Sequence, residues 1–151
     1  MEKIKVREAS YSDAQVIVEF QIEMARESEG IELEESVLSM GVRAVFEDHT
    51  KGRYYVSEVN GIVVASLMTT YEWSDWRNGM VLWIQSVYVS PEHRKSGIFK
   101  KMYLFLKELV SGSDLYRGIR LYVDTGNTPA LKVYEAIGMD GDHYKVYEWM
   151  K

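Results

Sequence analysis

The hydrophobic period of this chain changes repeatedly between about 3.6 and about two residues, which restricts it to a fold that mixes helices and strands. Period-two alternation of apolar and polar side chains predicts strands at residues 3–8, 54–59, 62–71, 81–89, 119–123 and 144–150. Helical spacing predicts helices at residues 12–24, 37–45, 97–110 and 128–137. The resulting order, β-α-α-β-β-β-α-β-α-β, predicts an α/β fold in which all strands share one mixed sheet.

Short polar motifs predict where several of these elements begin and turn. Ser12 and Gln15 match a capping box at the start of the first helix. Thr128 followed by proline predicts the cap and the first residue of the last helix. Asn60-Gly61 favours a tight hairpin, because both positions tolerate positive φ. The strand-helix-strand unit at 81–123 is expected to be parallel and right-handed.

Composition narrows the class of protein. The 151 residues, 46% of them hydrophobic, suit one compact domain over residues 1–151. A net charge of −5 argues against a nucleic-acid partner, which would favour a basic face. The chain has no cysteine, so disulfides, thiolate metal sites and a cysteine nucleophile are excluded, and no metal is expected. Without an apolar signal core or a run of about 18 apolar residues, a cytoplasmic protein with no membrane segment is expected.

Residues 87–99 combine a buried strand, a basic loop and a helix start. The strand ends before Pro91, and Gly97 allows close backbone approach just where an amphipathic helix begins. Helix N-termini attract anions, and Arg94 adds a planar, permanently charged donor. This pattern predicts a site for a small polyanion. The alternative is a turn glycine followed by lysines that solvate the helix start.

Two motifs in this chain resemble the acetyltransferases of the GNAT superfamily. Residues 87–98, V-Y-V-S-P-E-H-R-K-S-G-I, are similar to its central pattern V-x-P-E-x-R-x-x-G-x-G/A. Residues 127–139 are similar to its later pattern N-x-x-A-x-x-x-Y-x-x-x-G-[FM]. The resemblance implies a central mixed sheet of about six to seven strands with four flanking helices, and an acyl-CoA-dependent N-acetyltransferase that is expected to be a homodimer.

The resemblance also implies which residues hold acetyl-CoA. The loop amides would surround the pyrophosphate, and the backbone at residues 87 and 89 would pair with the pantetheine arm. Phe99 departs from the family pattern, which has a small residue there, so its orientation affects how closely the backbone approaches a phosphate. The implied cofactor-binding residues are Val87, Val89, Arg94, Lys95, Ser96, Gly97, Ile98, Phe99, Asn127 and Tyr134.

Transfer of an acetyl group to an amine needs a polarised carbonyl, an acid for the leaving thiolate and a neutral amine. The resemblance implies that the Val87 amide polarises the carbonyl and that Tyr134 is the acid. Many relatives carry a glutamate where this chain has Gln85 and Ser86. A carboxylate elsewhere would then act as base through water, and the nearest candidates by sequence are Glu72 and Asp75, with Glu72 preferred as the catalytic residue. Deprotonation in solvent is the alternative, with Glu72 in a solvated loop.

Acidic and aromatic residues predict the acceptor. Residues 23–35 contain six glutamates and one arginine, and residues 71–77 combine aromatic rings with acids. Such surfaces attract a small cationic amine, polyamine-like or amino-acid-like. The alternative for the glutamates is that they only solvate a helix. The alternative functions are a protein lysine or N-terminal acetyltransferase, a non-catalytic CoA-binding module, and a domain that binds no CoA. The candidate substrate-binding residues are Glu27, Glu72, Trp73, Asp75 and Gln85.

Overall fold

The computed structural model describes residues 3–151, which form two compact units divided after Arg120. That the whole chain is one domain stays a prediction. The strands are β1 Ile4–Glu8, β2 Arg53–Val59, β3 Ile62–Ser74, β4 Gly79–Val89 and β5 Tyr116–Leu121. The helices are α1 Ala14–Glu29, α2 Glu35–Glu47, α3 Ile98–Ser111 and α4 Thr128–Ala136, with short 3-10 turns at Tyr11–Asp13 and Pro91–His93.

The five strands form one sheet in the order β1-β2-β3-β4-β5. The pairs β1-β2, β2-β3 and β3-β4 are antiparallel. The amide of Met80, at the start of β4, donates to the carbonyl of Leu115, just before β5, at 2.9 Å. Both strands therefore begin at the same edge and run in parallel, which confirms the expected mixed sheet.

The sheet has fewer strands than the expected six to seven. Residues 144–150, expected to be a strand, have no assigned secondary structure and exposed side chains. Alternating hydrophobicity selects an extended backbone, but a strand also needs a hydrogen-bonded neighbour, which a local pattern does not specify. This prediction was therefore wrong.

Two helix starts also differ from the prediction. The capping box lies at the 3-10 turn before α1 and joins Ser10 and Asp13, not Ser12 and Gln15, and the Ser10 amide donates to Asp13 Oδ2 at 2.8 Å. Asp13 also binds Arg7 of β1 at 2.7 Å, so a tertiary ion pair favours this register. At α4 the cap is Asn127 instead of Thr128, because its side chain accepts from the Ala130 amide at 3.3 Å.

The core of the first unit lies on both faces of the sheet. Successive residues of a strand point to opposite faces, so Tyr54 and Tyr55 mark the two sides. Tyr54 stacks on Phe46 of α2 at 5.6 Å between ring centroids, whereas Tyr55 contacts Phe105 of α3 at 5.8 Å. Helix α2 therefore covers one face and α3 the other. Fully buried aliphatic side chains, each worth about 1.5–3 kcal/mol, hold these layers together: Ile17, Val18, Val42, Val56, Leu67, Leu82, Ile84 and Leu106.

Candidate functional site

A β-bulge interrupts β4 near its C-terminal end. Met68 of β3 faces Gln85, whereas Ser66 faces Tyr88, so Ser86 and Val87 together lie opposite one residue. Ser86 adopts a left-handed conformation with φ of +57°. A residue other than glycine pays roughly 1–2 kcal/mol for that conformation. Bulges also withdraw backbone groups from the ladder, which makes them available to other partners.

Helix α1 reaches this bulge through Gln21. Its side chain is only 5% exposed, and its Nε2 donates to the carbonyl of Ser86 at 3.2 Å. The sequence analysis did not single out this residue. The sequence does carry a sign of its role, because Gln21 is a polar residue at helical spacing between Ile17 and Ala25, on an otherwise apolar stripe of the helix.

The loop after β4 has the backbone of an anion nest. Lys95 and Gly97 both have positive φ, +62° and +79°, and α3 begins directly afterwards at Ile98. Among residues 3–151, no side chain caps this helix. The first amides of a helix have no acceptor within the helix. Where neighbouring residues alternate between left-handed and right-handed helical conformations, their N–H groups point toward one spot and can bind an anion there. The loop can therefore accept a phosphate.

Arg94 is held beside this loop by three contacts. Its Nε donates to the carbonyl of Val89 at 2.8 Å, and its terminal nitrogen lies 2.7 Å from Glu27 Oε2 of α1. Its guanidinium also lies 5.4 Å from the centre of the Tyr88 ring. Of the candidate acceptor residues, Glu27 is thus brought to the loop after β4.

The side chains at residues 95–99 differ in exposure. Ile98 is buried at 3% exposure and packs in the core, whereas Lys95, Ser96 and Gly97 are exposed. Phe99, the departure from the family pattern, is half-buried. Ser96 donates through its hydroxyl to the carbonyl of His93, which closes the loop.

Three of the remaining acceptor candidates, Glu72, Trp73 and Asp75, lie toward the other end of the β3-β4 hairpin. Glu72 pairs with Val81, five positions along β3 from Leu67, which is about 17 Å at the rise of an antiparallel strand. Its Oε1 lies 2.5 Å from Arg120 and accepts from Trp83 Nε1 at 3.3 Å. The structure therefore does not bring Glu72 to the bulge.

Gln85 is the acceptor candidate nearest the bulge. Its Nε2 donates to Thr70 Oγ1 on β3 at 3.0 Å. Trp73 is 56% exposed near the hairpin tip, where Asp75 Oδ1 accepts from the Trp76 amide at 3.0 Å. The tip therefore carries the exposed aromatic and acidic surface that the sequence predicted.

Two candidate residues belong to the second unit, Leu121–Lys151. Asn127 caps α4, as described above. Tyr134 is half-buried within α4, and burial raises the pKa of its phenol above the usual value of 10. Tyr134 therefore carries its proton at neutral pH, as an acid must. The expected approach of both residues to acetyl-CoA stays a prediction.

Residues 3–151 contain no group of three or more histidines and carboxylates arranged to hold a metal ion. In the same part of the chain, no helix combines the length and apolar character needed to cross a bilayer.

Comparisons with known proteins agree with this geometry. The model of the acetyltransferase (GNAT) family matches residues 17–139. The crystal structure of "a possible acetyltransferase" from Clostridium difficile 630 superposes with a TM-score of 0.90 and 44% identity, over 98% of this chain and 97% of that one. An aminoglycoside N-acetyltransferase in complex with CoA shares the fold, with a TM-score of 0.80 and 12% identity, over 100% of this chain and 97% of that one.

A shorter match is to the catalytic subunit of the N-terminal acetyltransferase B complex of Arabidopsis thaliana. It is 36% identical over 55 residues, which are 36% of this chain and 32% of that subunit, so this chain matches about a third of the relative's length. The family model covers most of the chain, including the bulged strand and the anion loop. The chain therefore belongs to the GNAT acetyltransferase family and is an acyl-CoA-dependent N-acetyltransferase.

Proposed function

We propose that this chain transfers an acetyl group from acetyl-CoA to a small cationic primary amine. The observation that carries this proposal is the juxtaposition along one strand of two features. The bulge at Ser86–Val87 supplies a backbone amide outside the ladder, and the anion loop at residues 94–99 follows directly at the end of the same strand.

The residues of this region fit acetyl-CoA. The amides at residues 96–99 and the Arg94 guanidinium would hold the pyrophosphate, with Lys95 adding positive charge. The backbone of Val87 and Val89 would pair with the pantetheine arm.

The chemistry that follows uses few groups. When bound, acetyl-CoA supplies the thioester carbon that the amine attacks. The Val87 amide is proposed to orient and polarise the carbonyl, and Tyr134 is proposed to hold a proton at its phenol oxygen for the leaving sulfur. Amine deprotonation is proposed to occur in solvent, because Glu72 lies far along β3 and is paired with Arg120.

The proposed acceptor is a small cation for electrostatic reasons. The chain carries a net charge of −5, and the hairpin tip presents Trp73, Asp75 and Trp76, the last 90% exposed. Aromatic faces and carboxylates stabilise an ammonium group by cation–π attraction and charge pairing. Of the predicted acceptor carboxylates, Glu27 and Glu72 already pair with arginines, which leaves Asp75 to attract the cation. Asp75 lies three residues beyond Glu72, at the hairpin tip, so it would raise the local concentration of the amine without holding it at the thioester.

A protein N-terminus is the second candidate acceptor. It is favoured by the 36% identity over 55 residues to the catalytic subunit of an N-terminal acetyltransferase complex. A protein N-terminus is also a primary amine, so the same cofactor site would serve both acceptors.

Binding and turnover test the proposal separately. Titration calorimetry with acetyl-CoA is expected to show binding, and an assay of free CoA thiol is expected to show acetyl transfer to spermidine or to free amino acids. A short peptide with a free N-terminus, compared with the same peptide blocked there, tests the second candidate. Binding without thiol release for any amine would favour a non-catalytic CoA-binding module, and no binding would contradict the proposal.

A homodimer stays a prediction that sedimentation velocity would check.

A further inference from the structure

We infer that Gln21 is a positioning residue that aims the Val87 amide by holding the carbonyl of Ser86. This inference rests on the proposed function and adds to it a residue outside the family motifs. Gln21 lies on α1, 65 positions before Ser86 in the chain, and its Nε2 donates to that carbonyl at 3.2 Å. It thus joins the helix layer to the one irregular point of β4.

The geometry of the peptide unit turns this hydrogen bond into control of a neighbouring amide. The Ser86 carbonyl and the Val87 N–H belong to the same planar unit, which is trans, as are all described peptide bonds. In a trans unit the carbonyl and the N–H point in opposite directions. A partner that holds the carbonyl toward α1 therefore directs the Val87 N–H away from α1.

The bulge needs such a partner because its backbone is strained. Ser86 has φ of +57°, a conformation that residues with a side chain rarely adopt. Rotation of the peptide unit would exchange the directions of the carbonyl and the N–H. The Gln21 hydrogen bond opposes that rotation, because the rotated carbonyl would lose its side-chain donor.

The position of Gln21 supports a role beyond packing. It lies on the buried stripe of α1, between Ile17 at 0% and Ala25 at 6% exposure. Burial of an amide is unfavourable unless its hydrogen bonds are made, so an aliphatic side chain would pack there at lower cost. The anion loop meets α1 at a different residue, through the ion pair of Arg94 with Glu27 at 2.7 Å. Loss of Gln21 should therefore change the carbonyl contact and leave CoA affinity intact.

The test compares Gln21→Met with the wild-type protein. Methionine keeps the length of the side chain and removes the donor. Infrared spectroscopy of bound acetyl-CoA labelled with ¹³C at the thioester carbonyl is expected to show a lowered stretching frequency in the wild type. In the variant most of that shift is lost, kcat falls about 10- to 100-fold, and Kd for CoA stays within about twofold, as expected when one oxyanion donor is misaligned.

Two further variants separate positioning from stability. Gln21→Glu keeps the size, replaces the N–H donor by oxygen, and is expected to show the same loss at neutral pH. Ile17→Val, on the same stripe, removes a buried methylene without touching the bulge. It is expected to lower the unfolding free energy and leave the carbonyl frequency unchanged.

The amide resonance of Val87 in the ligand-free protein provides an independent readout. It is expected to shift or broaden in Gln21→Met and Gln21→Glu, and to stay unchanged in Ile17→Val. Wild-type carbonyl frequencies and Val87 resonances in both Gln21 variants would overturn the inference. If the wild-type protein binds no acetyl-CoA, the proposed function fails, and the Val87 resonance alone then decides whether Gln21 positions the bulge.

Discussion

At the scale of single residues, Arg94 connects the helix layer to the anion loop. Its guanidinium is shared by the carbonyl of Val89, the ring of Tyr88 and the carboxylate of Glu27. Glu27 was expected to bind the acceptor amine, but in this structure it neutralises the one guanidinium of the loop. It therefore competes with the phosphates that Arg94 is proposed to bind.

Replacement of Glu27 should consequently strengthen CoA binding. Glu27→Gln removes a negative charge 2.7 Å from Arg94, and we expect Kd for CoA to fall about fivefold, which corresponds to about 1 kcal/mol. The matched control is Glu23→Gln, one turn earlier on α1, where the carboxylate pairs with Arg26 instead. Titration calorimetry measures both. A weaker Kd in Glu27→Gln alone would mean that Glu27 orients Arg94.

A second residue-scale prediction concerns Gly97. Its φ of +79° is unfavourable for residues with a side chain, although an added Cβ would meet no atom within 4 Å. Gly97→Ala should therefore fold normally and raise Kd for CoA about tenfold. Alanine disfavours this positive φ by roughly 1–2 kcal/mol, so the variant loop would leave the nest conformation, and CoA binding would have to restore it. Gly41→Ala on α2 is the control, since it should stabilise the helix by about 1 kcal/mol. Equal CoA affinity in wild type and Gly97→Ala would contradict the nest.

At the scale of elements, the hairpins of the sheet follow local turn chemistry. Asn60 and Gly61 have φ of +52° and +80°, as a two-residue turn of this hand requires. They join β2 and β3 in the predicted place. The described sheet is irregular at two points, a register shift after Ser57 between β2 and β3 and the bulge in β4, and at the bulge Gln21 of α1 adds a tertiary contact to local preference.

This turn should contribute to stability without affecting the site. Gly61→Ala places a Cβ in open space, so its cost is the backbone strain alone, about 1 kcal/mol of unfolding free energy. Urea denaturation measures that change, and Kd for CoA should stay constant. Asn60→Gly is the companion variant and should be close to neutral. A loss of several kcal/mol in Gly61→Ala would show that the turn also supports packing.

At the scale of the whole molecule, buried ionisable side chains set the pH range of stability. Burial raises the pKa of Tyr54 and of Tyr55 to about 12, on the two faces of the sheet. At the acid end, the hydrogen bond from Arg7 holds the pKa of Asp13 below its usual range. Its stabilisation is present above pH of about 4 and is lost as the pH falls through the lowered pKa.

The dependence of the unfolding free energy on pH is most easily measured on the alkaline side. Below pH of about 10 both phenols are neutral in the folded and unfolded chain, so they add no pH dependence. Between about pH 10 and 12 only the unfolded chain ionises, and the unfolding free energy should fall by about 2–3 kcal/mol for each tyrosine. Tyr71, Tyr88 and Tyr134 also have raised pKa values and add to the decline, so urea denaturation across this range should show a decline in Tyr54→Phe that is smaller than that of the wild type by about 2–3 kcal/mol. The same decline in Tyr54→Phe and wild type would contradict a buried, neutral Tyr54.

Much of the fold was predictable, because its signals are local. Period-two and helical patterns located five strands and four helices within a few residues, and Asn60-Gly61 predicted its own turn. The strand-loop-helix motif at residues 87–99 predicted the anion loop, since glycine at position 97 and arginine at position 94 act within a few residues of each other.

The features that prediction missed depend on partners distant in sequence. Arg7 decides that Asp13 completes the first cap, and Arg120 pairs with Glu72 far from the bulge. The pattern at residues 144–150 resembles a strand but specifies no neighbour.

The sequence by itself determined five strands, four helices, their order and the strand-loop-helix motif at residues 87–99, because backbone preferences and apolar periodicity act over a few residues. Only the tertiary structure decided that Gln21 of α1 meets the Ser86 carbonyl and that Glu27 meets Arg94. A helix pattern shows which side is buried, but the atom that a buried amide or carboxylate finds there depends on how the helix lies on the sheet.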